Sequence, residues 1–197
     1  MEGIAQIDRG LTLAVNALNS PVSDSIWMFF SDREVWIPLY VIVAVMLYVR
    51  LGWKKATLAV IGLVLTIVAC DQTANLLKFS VARLRPCHDG WMLERGLRAL
   101  EDPGGLYGFF SAHAANAFGF AVCSIISFGC GRTTGRAHSI YGWCIIAWAV
   151  LLSLSRVFVG KHFLGDIIVG TAVGILFGLL FGSLVRAICK CTGSDRL

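Results

Sequence analysis

The chain has 197 residues, is 57% hydrophobic and has a mean hydropathy of +0.74, well above the roughly 45–50% apolar content of a soluble domain. Its formal net charge of +5 comes from Lys and Arg scattered through short loops and run ends. With no single basic face, nucleic acid is excluded as a partner. The composition is that of one polytopic membrane domain, residues 1–197, with an all-α bundle of about five transmembrane helices.

Residues 3–18 place Ile4, Ile7, Leu11, Val15 and Leu18 at helical spacing, with Asp8, Arg9, Thr12 and Asn16 between them. That pattern predicts an amphipathic helix lying in the membrane interface. Ser20-Pro21 reads as an N-cap and first-turn proline opening a second short helix to about Phe30, so residues 1–30 are the interfacial part. The first long apolar run starts too late, and has the wrong flanks, for a cleaved signal peptide. The predicted spans are about 34–51, 56–79, 111–129, 139–156 and 163–186, several near the roughly 20 residues that cross a bilayer. Trp36, Tyr40, Trp53, Trp91 and Trp143, near span ends, are expected to form interfacial belts. Gly170, Gly174, Gly178 and Gly182 recur every fourth residue in the last span, a stripe for close helix packing.

Five crossings put residues 50–55, 130–138 and the tail on one side. There eight Lys/Arg, including Arg132 and Arg196, face a single acid, Asp195. Once the acids on the other side are counted, the asymmetry assigns this side to the cytoplasm. The odd polar residues then collect on the opposite, extracytoplasmic face. The second span leaves at Lys78 and is followed by Arg85, the third begins at Ser111 and His113, the fourth leaves at Arg156, and the fifth begins at His162 and Asp166.

Lys78, Arg85 and Arg156 form a cationic clamp suited to phosphate. Ser111 at a helix start leaves the amides of Ala112 and His113 free for an anion. His162 and Asp166, four apart on a helix, adjoin, so the carboxylate can fix the imidazole tautomer and leave the other nitrogen nucleophilic. His113, from another helix, can protonate a leaving oxygen. No carboxylate cluster stands ready for a metal, and the four histidines do not pair with the seven cysteines at ligand spacing, so neither metal nor cofactor is expected. Asp71, inside a span, is expected to neutralise Lys78 or Arg156 and hold the clamp in place. Lys161 should point away from His162 on a helix and anchor the interface rather than bind phosphate, and Arg83 is read likewise. His88 and His138 belong to no constellation.

The blocks Lys78-x6-Arg85-Pro86, Ser111-x-His113 and Ser155-Arg156-x5-His162-x3-Asp166 resemble the three-part signature of the type 2 phosphatidic acid phosphatase (PAP2) superfamily, over about residues 54–186. The middle block departs from the usual Pro-Ser-Gly-His, with Phe110 for the proline and Ala112 for the glycine. The resemblance implies that His162 attacks phosphorus to give a phosphohistidine and that Asp166 orients it. His113 would protonate the leaving group and then activate water, while Lys78, Arg85, Ser111, the Ala112 amide and Arg156 hold the phosphoryl oxygens.

A site at the membrane surface suits a substrate whose tail stays in hydrocarbon, hence a lipid phosphate or diphosphate. Compact chains of this sort resemble bacterial PAP2 enzymes acting on undecaprenyl diphosphate, phosphatidylglycerol phosphate or lipid A phosphates. Undecaprenyl diphosphate is the expected substrate, on family prevalence alone, and the inner membrane the expected location. Rival readings are a transporter, which would spread its charges through the membrane depth, and a non-catalytic lipid-phosphate-binding protein, which would lack the nucleophile or acid. The oligomeric state is not legible in the chain.

Overall fold

A computed structural model describes residues 2–130 and 135–191; Arg132, Asp195 and Arg196 lie outside the described residues. Seven α-helices follow in chain order: α1 (Glu2–Asn16), α2 (Pro21–Ser31), α3 (Ile37–Val81), α4 (Gly90–Glu94), α5 (Ala112–Phe128), α6 (Arg136–Phe158) and α7 (Leu164–Cys191). Single 3-10 turns occupy Glu34–Trp36 and Pro86–His88. Among the described residues the bundle is all-helical, with only an isolated bridge between Leu84 and Tyr107 outside it.

α3 is two spans joined by a hinge. At Gly52 the backbone leaves the helical region (φ 72°, ψ 164°), a conformation that favours glycine. Tyr48 Oη lies 3.0 Å from Thr57 Oγ1, although nine residues of unbroken helix would separate them by roughly 13 Å of rise on opposite faces. The chain therefore doubles back at Gly52. The consequence is that Val35, just before α3, and Lys78, in its last turn, line one cavity; a straight helix of 45 residues would hold its ends about 67 Å apart. With α5, α6 and α7, the two arms of α3 supply the five predicted spans. The arm before Gly52 and α5 are short for a full crossing, whereas α6 and α7 are long and apolar enough.

α5 is the central helix, touching α3, α6 and α7. The glycine stripe of α7 lies on it: a Cβ at Gly170 would stand 2.5 Å from the Ser111 carbonyl oxygen, at Gly174 2.2 Å from that of Ala115, and at Gly178 2.8 Å from that of Gly119. Only hydrogen fits at these crossings, so the stripe sets both the spacing and the register of the two helices. On the other flank of α5, Val43, Leu47, Leu63, Phe120, Trp148, Leu152 and Val185 form the main apolar core. Trp36 and Tyr40 belong to this core through edge contacts with Trp148. They are not belt residues, because the chain enters the first arm of α3 against α6. Trp53 and Trp143 do face outward.

α1 is amphipathic as expected, but its polar side faces the protein. Thr12 and Asn16 are fully buried, while Ile4, Ile7 and Leu11 are exposed. Asn16 Nδ2 donates to the carbonyls of Phe158 (2.9 Å) and Arg98 (3.0 Å), Thr12 Oγ1 accepts from the Leu164 amide (3.0 Å), and Arg9 pairs with Asp89. α2 begins with the capping box of Ser20 and Ser23 and a first-turn Pro21. It docks on α6, with Trp27 stacked on Phe158 at 4.1 Å between ring centroids.

Candidate active site

At one end of the bundle, where α3 and α6 finish and α5 and α7 start, lies a cavity of about 800 Å³. Lys78, Arg85, Ala112, His113, Arg156 and His162 all line it, so the three sequence blocks meet in one place. Lys78 sits one turn before the left-handed Ala82 (φ 49°) that ends α3. Arg85 follows in the extended stretch before Pro86, and its Nε donates to the Tyr107 carbonyl at 3.2 Å. Ala112 and His113 are the first residues of α5, where helix geometry leaves the first-turn amides without intrahelical acceptors.

Two members of the expected set are arranged differently. Ser111 is fully buried, and its hydroxyl accepts from the Ala114 amide as the N-cap of α5. It ends the loop at the start of α5, and its amide donates to the Asp166 carbonyl at 3.1 Å. Asp71 pairs with neither Lys78 nor Arg156: its Oδ1 accepts from Asn116 Nδ2 at 2.9 Å, tying α3 to α5. Asn116 lies about one turn past His113 on α5, and the charge of Asp71 reaches Lys78 only through space.

His162 precedes α7 rather than lying in it. α6 ends at Phe158, Gly160 turns the chain at φ 76°, and α7 begins at Leu164. His162 and Asp166 still adjoin, with Nδ1 3.5 Å from Oδ2, a long contact that leaves Nδ1 without a closer polar partner among the described residues. Both side chains are almost wholly buried. Burial pushes the imidazole pKa down to about 4, with Asp166 opposing the shift and the cations Arg156 and Arg85 adding to it. The ring is therefore neutral, and nucleophilic, throughout the neutral pH range. The same turn reorients Lys161. Not being on a helix, it points into the cavity, with Nζ bonded to the Asp102 carbonyl and 3.9 Å from Glu101 Oε2.

Three further groups complete the cavity. Arg33, from the α2–α3 connection, donates from Nε to His113 Nε2 at 3.0 Å. Ser31, the last residue of α2, accepts from Arg156 Nη1 and donates to Glu101. Glu101 also takes Arg156 Nη1 at 3.3 Å. Only the position of residues 20–33, and of the loop that carries Glu101, on the same side as the motif blocks could have signalled them. Arg83, by contrast, lies outside the cavity lining and pairs with Asp166 and Asp8.

Residues 55–188 match the PAP2 superfamily. The chain is similar to two proteins named lipid A 4'-phosphatase. That of Bacteroides thetaiotaomicron is 34% identical over 88% of this chain and 75% of its own length, and that of Porphyromonas gingivalis is 29% identical over 89% and 72%. Among solved structures, a transmembrane PAP2-type phosphatidylglycerolphosphate phosphatase from Bacillus subtilis superposes with a TM-score of 0.77 at 18% identity, covering 95% of this chain and 89% of that one. LpxE of Aquifex aeolicus superposes with a TM-score of 0.65 at 21% identity, covering 87% and 92%; these two likenesses concern the fold alone.

Proposed function

This chain belongs to the PAP2 superfamily as a membrane lipid phosphatase, and from that premise we propose that it removes a phosphate monoester from lipid A through a phosphohistidine on His162. The observation that carries the chemistry is the meeting of His113 and His162 in one cavity with Lys78, Arg85 and Arg156. Nδ1 of His162 faces Asp166, so Nε2 is the attacking nitrogen. As the N–P bond forms, the bond from phosphorus to the sugar oxygen breaks, and His113, which takes up a proton when the phosphate dianion enters among the cations, passes it to that oxygen. His113, now neutral, deprotonates a water whose oxygen bonds to phosphorus as the N–P bond breaks, which frees His162 and releases inorganic phosphate. Charge grows on the equatorial oxygens during both steps, where fixed cations act most strongly. Arg33 covers His113 Nε2; its exposed side chain can turn to a phosphoryl oxygen and free that nitrogen for proton transfer.

Lipid A replaces undecaprenyl diphosphate as the favoured substrate for two reasons. Both curated relatives carry the name lipid A 4'-phosphatase. The cavity, about 800 Å³, is far roomier than one phosphoryl group, and Ser25, Asp32 and Glu34 on its wall suit sugar hydroxyls that a polyprenyl chain lacks. The basic end of the bundle, with Arg50, Lys54, Lys55, Arg136, Arg186 and Lys190, favours a cytoplasmic placement, which turns the cavity towards the periplasm of an inner membrane.

Purified protein in detergent with EDTA should release phosphate from lipid A faster than from phosphatidylglycerol phosphate or undecaprenyl diphosphate. His162→Ala should abolish release. Preference for either other lipid overturns the substrate, and activity that survives His162→Ala overturns the mechanism.

A further inference from the structure

The support of the nucleophile extends beyond Asp166. That carboxylate is fully buried. Its Oδ2 accepts from the Phe163 amide at 3.1 Å and faces His162 Nδ1. Its Oδ1 accepts from Arg83 Nη1 at 2.8 Å, and Arg83 Nη2 donates onward to Asp8 Oδ2 at 2.6 Å. The guanidinium lies over the Phe163 ring, 4.1 Å from its centroid. Asp8 Oδ1 in turn accepts from the Gly165 amide at 2.9 Å, at a place where a Cβ on Gly165 would stand 2.7 Å from Asp8 Oδ2.

We infer that Arg83 is a positioning residue for the Asp166–His162 pair, and that Asp8 of α1 holds Arg83 in that role. The inference rests on His162 being the nucleophile. A fully buried carboxylate is costly unless a cation and hydrogen bonds answer it, and a carboxylate fixed in place is what orients the imidazole. Arg83 supplies that cation from the side away from the cavity. Its planar fork holds two carboxylates in a fixed geometry, which the compact point charge of a lysine does less well. Asp8 takes the second arm of the fork, so Arg83 is held away from the phosphate-binding cations. One unbroken line, Asp8–Arg83–Asp166–His162, thus joins α1, the loop after α3 and the start of α7. The other charged or titratable groups facing His162 are Arg156, Arg85 and His113, and none of them touches Asp166 through an ion pair among the described residues.

The test compares Arg83→Met, Arg83→Lys, Asp8→Asn, Arg9→Ala and His162→Ala, by steady-state phosphate release from lipid A and by NMR titration of the His162 ring. Arg83→Met should lower kcat about 10- to 100-fold with KM within about threefold, the size typical of groups that orient a reacting group from behind. The His162 titration should move upward from about 4, because Asp166 freed of its cation holds the imidazolium more strongly. Arg83→Lys should recover part of both, and Asp8→Asn should give a smaller loss in the same direction. Arg9→Ala, which cuts the separate α1 pairing to Asp89, should leave both unchanged. An Arg83→Met enzyme with wild-type kcat and an unmoved titration overturns the inference, as does an equal loss in Arg9→Ala. Activity in His162→Ala overturns the proposed function instead, and the Arg83→Met titration still decides the linkage.

Discussion

The seam between α5 and α7 and the cavity at its end are built on opposite rules. Along the seam, Gly170, Gly174 and Gly178 bring backbone against backbone with no side chain between them. At the cavity, five cations (Arg33, Lys78, Arg85, Arg156 and Lys161) converge with only a few carboxylates to answer them. Charges of one sign repel and resist burial. The seam therefore sets the geometry, and the cavity spends part of that stability on function. Asp166 belongs to both: its carbonyl holds the start of α5, and its carboxylate faces His162.

The contrast breaks apart most visibly under Gly174→Val. The new Cβ would begin 2.2 Å from the Ala115 carbonyl oxygen, so the helices must part, at a cost of about 3 kcal/mol or more. Thermal unfolding in detergent should show a large fall in Tm, with activity lost alongside it. His162→Ala should do the reverse, leaving Tm near wild type while phosphate release vanishes. Arg156→Lys comes next. It keeps the charge but loses the guanidinium whose Nη1 meets Ser31 and Glu101, and kcat/KM should fall about 100-fold, within the usual loss for one oxyanion donor. The smallest effect is expected from Glu101→Gln. Glu101 competes with phosphate for Arg156 and Lys161, so inorganic phosphate should inhibit the variant about threefold more tightly, in keeping with a partly exposed pair. A change in Tm as large as that of Gly174→Val in any of the last three would erase the division between seam and site.

Much of this division is legible in the sequence. Fourfold glycine spacing on an apolar run has few meanings, and a helix that approaches its neighbour this closely can tolerate no side chain there. The blocks ending in Arg85, His113, Arg156 and His162 are legible because threading through a membrane leaves the ends of successive spans no freedom of side. Arg33, Glu101 and Arg83 are not legible in this way. They sit in connections whose positions depend on how α1, α2 and residues 82–111 dock, and no local spacing encodes that docking. Lys161 misleads for a narrower reason. Helical periodicity carried back from α7 points it outward, but α7 starts only at Leu164 and the turn at Gly160 sends it into the cavity. α1 is recognisable as amphipathic from its periodicity, yet periodicity alone cannot say which face meets the protein, because a membrane protein can bury polar groups within itself and present methyl groups to lipid.

That inversion of α1 has a practical consequence. Ile4, Ile7 and Leu11 need a hydrocarbon cover, and in a purified sample the micelle must supply it. A detergent belt too thin to reach this helix would loosen Asp8 from Arg83 while the rest of the bundle stayed folded. Solubilisation conditions would then register as a change in turnover, and adding back phospholipid would reverse it.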